Sequence, residues 1–129
     1  MHFTFYSFGK QANRMPESMW LTFNPEVSQR AQWKFEKVNQ EVDPGSVVRG
    51  GGRRMHAVTN KVSCSDGKRS FVLTTLDAPT VALGTRSPLD FSEDLPDLNQ
   101  GVHVNLFNNA WGHELSAMGR GRLDVSVPA

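Results

Sequence analysis

The segment Asn108-Asn109-Ala110-Trp111 carries the residues best suited to binding chemistry. It directly follows residues 102–107, where apolar and polar side chains alternate with the period of a β-strand. Asparagine amides can pair with sugar hydroxyls, and an indole ring can stack on the apolar face of a sugar. The same side chains could instead tie a loop to the domain, or be satisfied by a neighbouring domain. The sequence therefore predicts that Asn108, Asn109 and Trp111 either bind a carbohydrate or form part of an interface.

A second candidate is the acidic group in the long polar loop at 84–101, formed by Asp90, Glu93, Asp94 and Asp97. Paired carboxylates could hydrolyse a glycosidic bond as acid and base, which would make the chain a small independent hydrolase. They could also bind calcium, although the regular spacing of a calcium loop is missing. Because a proline-containing loop fixes no separation between carboxylates, we expect a solvated loop and predict no catalytic residue.

The residues that commonly bind metals are scattered. The histidines are His2, His56, His103 and His113, and none forms a closely spaced pair beside a carboxylate. We expect structural or solvated roles for them, with His103 on the polar face of its strand. Cys64 is the sole cysteine, so an intrachain disulfide and a cysteine-rich metal site are excluded, and we expect a half-buried strand thiol. The sequence predicts no metal or cofactor in this chain.

Three arginines, Arg49, Arg53 and Arg54, surround the glycines at 50–52. Such a segment could cradle a phosphate or contact RNA. It matches neither a nucleotide-binding loop before a helix nor a repeated Arg-Gly-Gly tract, so we expect a basic hairpin end. The net charge is +1, from 14 basic and 13 acidic residues, and implies neither a nucleic acid nor a membrane partner.

The remaining pattern consists of short alternating segments separated by turn signals. Asp43-Pro44-Gly45 and Asp66-Gly67 are strong turn signals, the second between two strands of a hairpin. No segment shows a helical period, so residues 1–129 are predicted to form a single all-β domain, an antiparallel β-sandwich with little helix. The predicted strands are 3–8, 18–24, 32–38, 60–64, 70–76, 80–84, 102–107 and 122–127.

Two predicted strands carry apolar side chains on both faces. In 18–24, Trp20 lies on the face opposite Leu21 and Phe23, and the aromatic residues of 3–8 alternate poorly as well. A sheet covered by one layer needs a single apolar face. We therefore expect an exposed apolar surface that meets another domain or another copy of the chain.

Four segments in order resemble a known family. "TLDAPTVALG" at 75–84 and "PDLNQGVHVNLFNNAWG" at 96–112 resemble the C-terminal β-sandwich region of α-mannosidase-like proteins of glycoside hydrolase family 38. The segments at 15–25 and 43–58 resemble an uncharacterised branch of that clan, of unknown function. The family's Asp-Ala-Pro is matched at Asp77 and its Asn-Asn-x-Trp at Asn108 to Trp111, so the resemblance spans residues 8 to 112.

The resemblance implies a fragment of a galactose-mutarotase-like supersandwich, the C-terminal part of a larger glycosidase-like protein. The family's zinc ligands and nucleophilic aspartate lie in an N-terminal α/β catalytic domain to which nothing here corresponds. This chain is therefore expected to be an accessory domain without catalytic residues, with zinc expected only in that catalytic domain. The resemblance also adds Asp77 to the residues expected to bind a carbohydrate or to form an interface. The alternative is a self-standing carbohydrate-binding module in which Trp111 is the stacking platform. After Gly112 the family's Thr-Asn-Phe is replaced by His113-Glu114-Leu115.

The N-terminus lacks the basic start and apolar core of a signal peptide. No apolar run approaches the ~20 residues of a membrane span. A single cysteine is compatible with a cytoplasmic protein.

Overall fold

The computed structural model describes residues 4–6, 8–11, 14–90 and 92–109, and these build two antiparallel four-stranded sheets. The strands are β1 Glu17–Phe23, β2 Gln32–Lys37, β3 Gln40–Val42, β4 Met55–Ala57, β5 Lys61–Ser65, β6 Ser70–Thr74, β7 Thr80–Leu83 and β8 Val102–Asn109. A short 3₁₀ helix, Leu98–Gln100, precedes β8. Within the described part of the chain, no helix is long and apolar enough to cross a bilayer.

The first sheet has the strand order β1-β8-β7-β4 and the second the order β3-β2-β5-β6. Alternate residues of both sheets point into one apolar core, as the two-residue period requires. The second sheet contributes Trp33, Phe35, Val62, Cys64, Phe71 and Leu73, and the first contributes Val81, Leu83, Val102 and Val104. The predicted all-β sandwich is therefore confirmed.

Both predicted turns form. Ser46 N–H donates to the carbonyl oxygen of Asp43 at 3.0 Å, which closes the Asp-Pro-Gly turn. Asp66-Gly67 joins β5 to β6, and the Asp66 carboxylate accepts from the N–H groups of Lys68 at 2.9 Å and Arg69 at 2.7 Å. The short Asp side chain thus stabilises the turn by bonding its own following backbone.

The hairpin between β2 and β3 is a two-residue turn at Val38 and Asn39. Both residues have positive φ, 50° and 61°. That backbone matches the twist of the flanking strands, and Asn tolerates it. Val38 is β-branched and 88 % exposed, so it has a strained backbone without gaining buried contacts.

The long loop at 84–101 is closed at its base by two glycines. Gly84 N–H donates to the carbonyl oxygen of Gly101 at 3.2 Å. Gly101 has φ +88°, and a Cβ there would lie 2.5 Å from the carbonyl oxygen of Phe23. Only glycine allows β8 to begin this close to the end of β1.

The structure corrects the predicted strand at 3–8. The described residues of that stretch, 4–6 and 8, belong to neither sheet. Alternation alone does not make a strand, because a strand also needs a neighbour for its main-chain groups. β8 also runs through Asn109 instead of breaking before Asn108. The predicted strand at 122–127 lies outside the described residues.

Candidate functional site

The pairing of β1 with β8 positions the asparagine residues singled out by sequence. Asn108 lies opposite Ser18 and Asn105 lies opposite Trp20. The register shifts between Met19 and Trp20, so one extra residue of β8 is accommodated there. We call Ser18, Trp20, Asn105 and Asn108 the asparagine patch.

Hydrogen bonds join the members of the asparagine patch. Trp20 Nε1–H donates to Ser18 Oγ at 2.7 Å. Asn108 Nδ2–H donates to Asn105 Oδ1 at 3.0 Å, and Asn105 donates to the carbonyl oxygen of Phe107 at 3.2 Å. Asn105 is buried, Trp20 is half-buried and Asn108 is exposed. The patch is therefore a hydrogen-bonded, partly accessible surface that combines one indole ring with carboxamides.

Asn109 has a different environment. It lies opposite Glu17, and its Nδ2–H donates to the carbonyl oxygen of Met15 at 3.3 Å. This bond ties the segment before β1 to the end of β8. Trp111, the third residue of the predicted site, lies outside the described residues.

Asp77 is exposed in the connection between β6 and β7. β7 pairs with β8 from Val81 opposite Val104 to Leu83 opposite Val102. No hydrogen bond among the described residues joins Asp77 to the asparagine patch.

His103 has a structural role, one of the two alternatives expected for the histidines. It lies on the sheet face opposite the core, as predicted, and it is buried. Its Nε2 lies 2.6 Å from the carbonyl oxygen of Gly84, so Nε2 carries the proton, and Nδ1 accepts from the Thr22 hydroxyl at 3.0 Å. Burial lowers the pKa of His103. The ring fastens the base of the 84–101 loop to β1.

His56 lies on the core side of β4. Its ring packs edge-on against Phe35 with 5.0 Å between the ring centres, and its Nε2 donates to the carbonyl oxygen of Arg53 at 3.1 Å. Burial lowers the pKa of His56 as well. Cys64 is fully buried rather than half-buried, and burial raises the pKa of its thiol to about 11.

The described residues do not fit a zinc ion. No three histidine, cysteine, aspartate or glutamate side chains converge within residues 4–6, 8–11, 14–90 and 92–109. His56 and His103 each direct a ring N–H at a carbonyl oxygen.

The acidic loop meets the arginine-glycine segment. Arg54 Nε lies 3.2 Å from Asp90 Oδ2 and also donates to Ser92 Oγ at 3.1 Å. Ser92 N–H donates to Asp90 Oδ1 at 3.0 Å, and this backbone bond is the main reason that the pKa of Asp90 is lowered. A carboxyl group with a lowered pKa is a poor general acid, so Asp90 serves to hold the loop against β4.

Two shallow cavities lie at the end of the sandwich where β8 begins. One, of about 260 Å³, is bounded by residues 24–29, Trp33 and Leu98. The other, of about 230 Å³, is bounded by the turn at 43–45 and by Leu95, Pro96 and Leu98. Trp33 is only 4 % exposed, so its ring cannot present a face to a ligand.

The residues before β1 form an exposed segment, which we call the N-terminal arm: residues 4–6, 8–11, 14 and 15. Tyr6 and Phe8 are 59 % and 76 % exposed and stack with 6.1 Å between ring centres. Lys10 fastens the arm to the first sheet, because its Nζ pairs with Glu17 and lies 4.9 Å from the ring centre of Phe107. The arm therefore carries exposed aromatic rings just before the residue that anchors it to the first sheet.

Sequence reasoning missed Trp20 and Asn105 as neighbours of Asn108. Trp20 was already the odd residue in its strand, and Asn105 precedes Asn108 by three positions. The cross-strand register that places Trp20 opposite Asn105 depends on the bulge, and the residue types do not predict a bulge at this position.

No family model, curated protein or solved structure matches this chain.

Proposed function

We propose that this chain is an accessory β-sandwich of an α-mannosidase-like glycoside hydrolase that supports a separate catalytic domain or subunit. One observation carries the proposal: the N-terminal arm exposes Phe5, Tyr6 and Phe8 shortly before Lys10, which anchors the arm to the first sheet. Exposed aromatic side chains clustered in this way favour a protein interface. The sequence resemblance supplies the type of partner.

The surroundings of the arm suit such an interface. Aromatic rings supply the apolar centre, while Glu17, Arg14 and the exposed Asn108 supply polar groups at its margin. An apolar centre with a polar rim is the usual composition of docking surfaces. Zinc and the nucleophilic aspartate would belong to the partner, and this chain would contribute shape and stability.

Co-expression tests the proposal. The chain is co-expressed with an α/β catalytic domain of the α-mannosidase type encoded in the same genome, and the complex is purified through a tag on that domain. We expect a one-to-one complex that is lost in the Tyr6→Ser/Phe8→Ser double variant. Val48→Ser is the matched control, since Val48 is 79 % exposed but lies far along the chain from the arm. The proposal would be contradicted if no complex formed, or if the double variant formed the complex as well as the wild type does.

A second candidate function is carbohydrate binding by the asparagine patch. It is favoured by the half-buried Trp20 ring opposite Asn105, next to the exposed Asn108. An aromatic ring with adjacent amides suits the apolar face and the hydroxyl groups of a sugar. Trp111 could add a second ring and stays a sequence prediction.

Calorimetric titration with mannan tests this second function. Asn108→Ala should abolish binding while leaving the melting temperature within the small range usual for surface changes. Trp111→Ala tests the predicted stacking platform in the same assay, and Gln40→Ala, at an exposed position of β3, is the control. Unchanged binding in Asn108→Ala and Trp111→Ala, or no binding by the wild type, would exclude the sugar site.

A further inference from the structure

We propose that β1 pairs edge to edge with β1 of a second copy of this chain, in antiparallel orientation, and so joins two first sheets into one continuous sheet. This goes beyond the proposed docking to a catalytic domain. β1 is the outer strand of the order β1-β8-β7-β4, and no described strand lies on its other side. About half of its main-chain N–H and C=O groups therefore point away from β8 and match another extended strand.

Among the described edge strands, β1 is the best suited to such pairing. β3 and β4 have three residues each, too few for a stable ladder. β6 has five residues and is preceded directly by Lys68 and Arg69, whose charges discourage pairing. β1 has seven residues, contains no proline and has Glu17 as its one charged side chain.

The backbone of β1 is also regular along the outer edge. Met19 pairs with Phe107 and Trp20 with Asn105, so the extra residue of the bulge, Leu106, belongs to β8. A bulge within β1 itself would have twisted the edge away from a partner. Because the inserted residue lies in β8, the outer edge of β1 contains no bulge.

The residue pattern favours a second copy as the occupant. Antiparallel pairing of two identical strands is two-fold symmetric, so a single surface suffices for a closed dimer. With Trp20 opposite Trp20, Met19 lies opposite Leu21. Glu17 then lies opposite Phe23, so the one charge of the strand never meets its own copy. Cross-strand aromatic pairs are among the stabilising combinations in sheets.

Sedimentation equilibrium over a broad concentration range tests the dimer. We expect the wild type to dimerise, and Trp20→Lys and Trp20→Glu each to be monomeric, because each places like charges directly opposite. An equimolar mixture of the two variants should regain the dimer. Val72→Lys, at the centre of the β6 edge, is the matched control and should dimerise like the wild type. Circular dichroism checks that every variant is folded.

Covalent trapping tests the register without a charged substitution. Trp20→Cys should form an intermolecular disulfide on mild oxidation, because directly opposite residues have their Cβ atoms about 5 Å apart. Thr22→Cys should not, since Thr22 would lie opposite Ser18. The native Cys64 is buried, so it should not form a disulfide under mild oxidation.

A wild type that stays monomeric at all concentrations would overturn the proposal. So would a dimer that Trp20→Lys leaves intact, or one that is lost in Tyr6→Ser/Phe8→Ser, because these results would place the contact elsewhere or assign it to the N-terminal arm. A monomer that still binds a catalytic domain would refute this inference alone and leave the proposed function standing.

Discussion

The carboxylate of Asp66 and the main-chain N–H of Ser28 lie 2.9 Å apart and join the β5–β6 turn to the loop that follows β1. Arg69 adds a second link, because its guanidinium donates to the carbonyl oxygen of Glu26 at 2.8 Å. β1 belongs to one sheet and β5 to the other. This contact therefore connects the two layers of the sandwich at their rim, outside the apolar core.

Replacing Asp66 with Asn should lower the melting temperature at neutral pH. The backbone N–H groups of Arg69, Ser28 and Lys68 hold the pKa of Asp66 at about 2, below its usual value. A depressed carboxyl pKa gives stability that is present above the unfolded value and lost as pH falls through the folded value. Thermal melts should show the difference between Asp66→Asn and wild type shrinking from about pH 4 towards pH of about 2. Asp77→Asn, at an exposed position, should match the wild type throughout.

Acidification should destabilise the protein near the ordinary pKa of histidine. Burial lowers the pKa of both His56 and His103, so the unfolded chain takes up protons first. Stability is therefore retained above the unfolded value of about 6.5 and declines as pH falls below it. Melting temperatures measured from about pH 7.5 to about pH 5.5 check this. The His56→Gln/His103→Gln double variant should show a clearly shallower decline, and an equal slope would contradict the assignment.

Val38→Asn should stabilise the protein. The positive φ at this turn position suits asparagine and strains valine, and relief of a left-handed conformation is worth about 1 kcal/mol. The bond from the main-chain N–H of residue 38 to Thr59 Oγ1, at 2.8 Å, is kept. Urea denaturation measures the gain. Val48→Asn, at another exposed valine whose φ is not positive, should change stability by less than about 0.5 kcal/mol.

Gly101→Ala and Gly67→Ala separate backbone strain from collision. Both positions have positive φ, so each alanine should cost about 1–2 kcal/mol. At Gly67 the added Cβ meets nothing within 4 Å, whereas at Gly101 it lies 2.5 Å from the Phe23 carbonyl oxygen. Gly101→Ala should therefore be the more damaging by a further ~1–3 kcal/mol in denaturant melts. Equal losses would show that β8 can shift away from β1 at no cost.

The fold was predictable where alternation coincided with turn chemistry. The segment around Asp66-Gly67 carried both signals, and its hairpin formed as expected. The stretch at 3–8 had alternation alone, and its described residues joined no sheet. β3 could not be anticipated, because its turn uses Val38, a residue type that sequence rules place in strands.

The candidate site was predictable only in part. Asn108 and Asn109 stood out because adjacent amides at the end of a strand need partners. Asn108 bonds to Asn105 on its own strand, whereas the bond from Asn109 to the Met15 carbonyl oxygen depends on the register of β1 against β8. Because β1 and β8 are far apart in sequence, their residue types do not predict which residue of one strand lies opposite which residue of the other. For His103 the sequence left a structural and a solvated role open, because alternation identifies a face but does not show what covers it.

β1 pairs with no described strand except β8, which ends 86 residues after β1 does. A ribosome adds roughly 5–20 residues per second, so β1 waits several seconds for its neighbour during synthesis. The β5–β6 hairpin, by contrast, can close as soon as it emerges. We therefore expect the second sheet to assemble first on the nascent chain. β1, with its apolar residues Met19, Leu21 and Phe23, should be the last strand to be covered. Until β8 emerges, the apolar side chains and open edge of β1 stay exposed, which is the condition that favours aggregation of a nascent chain.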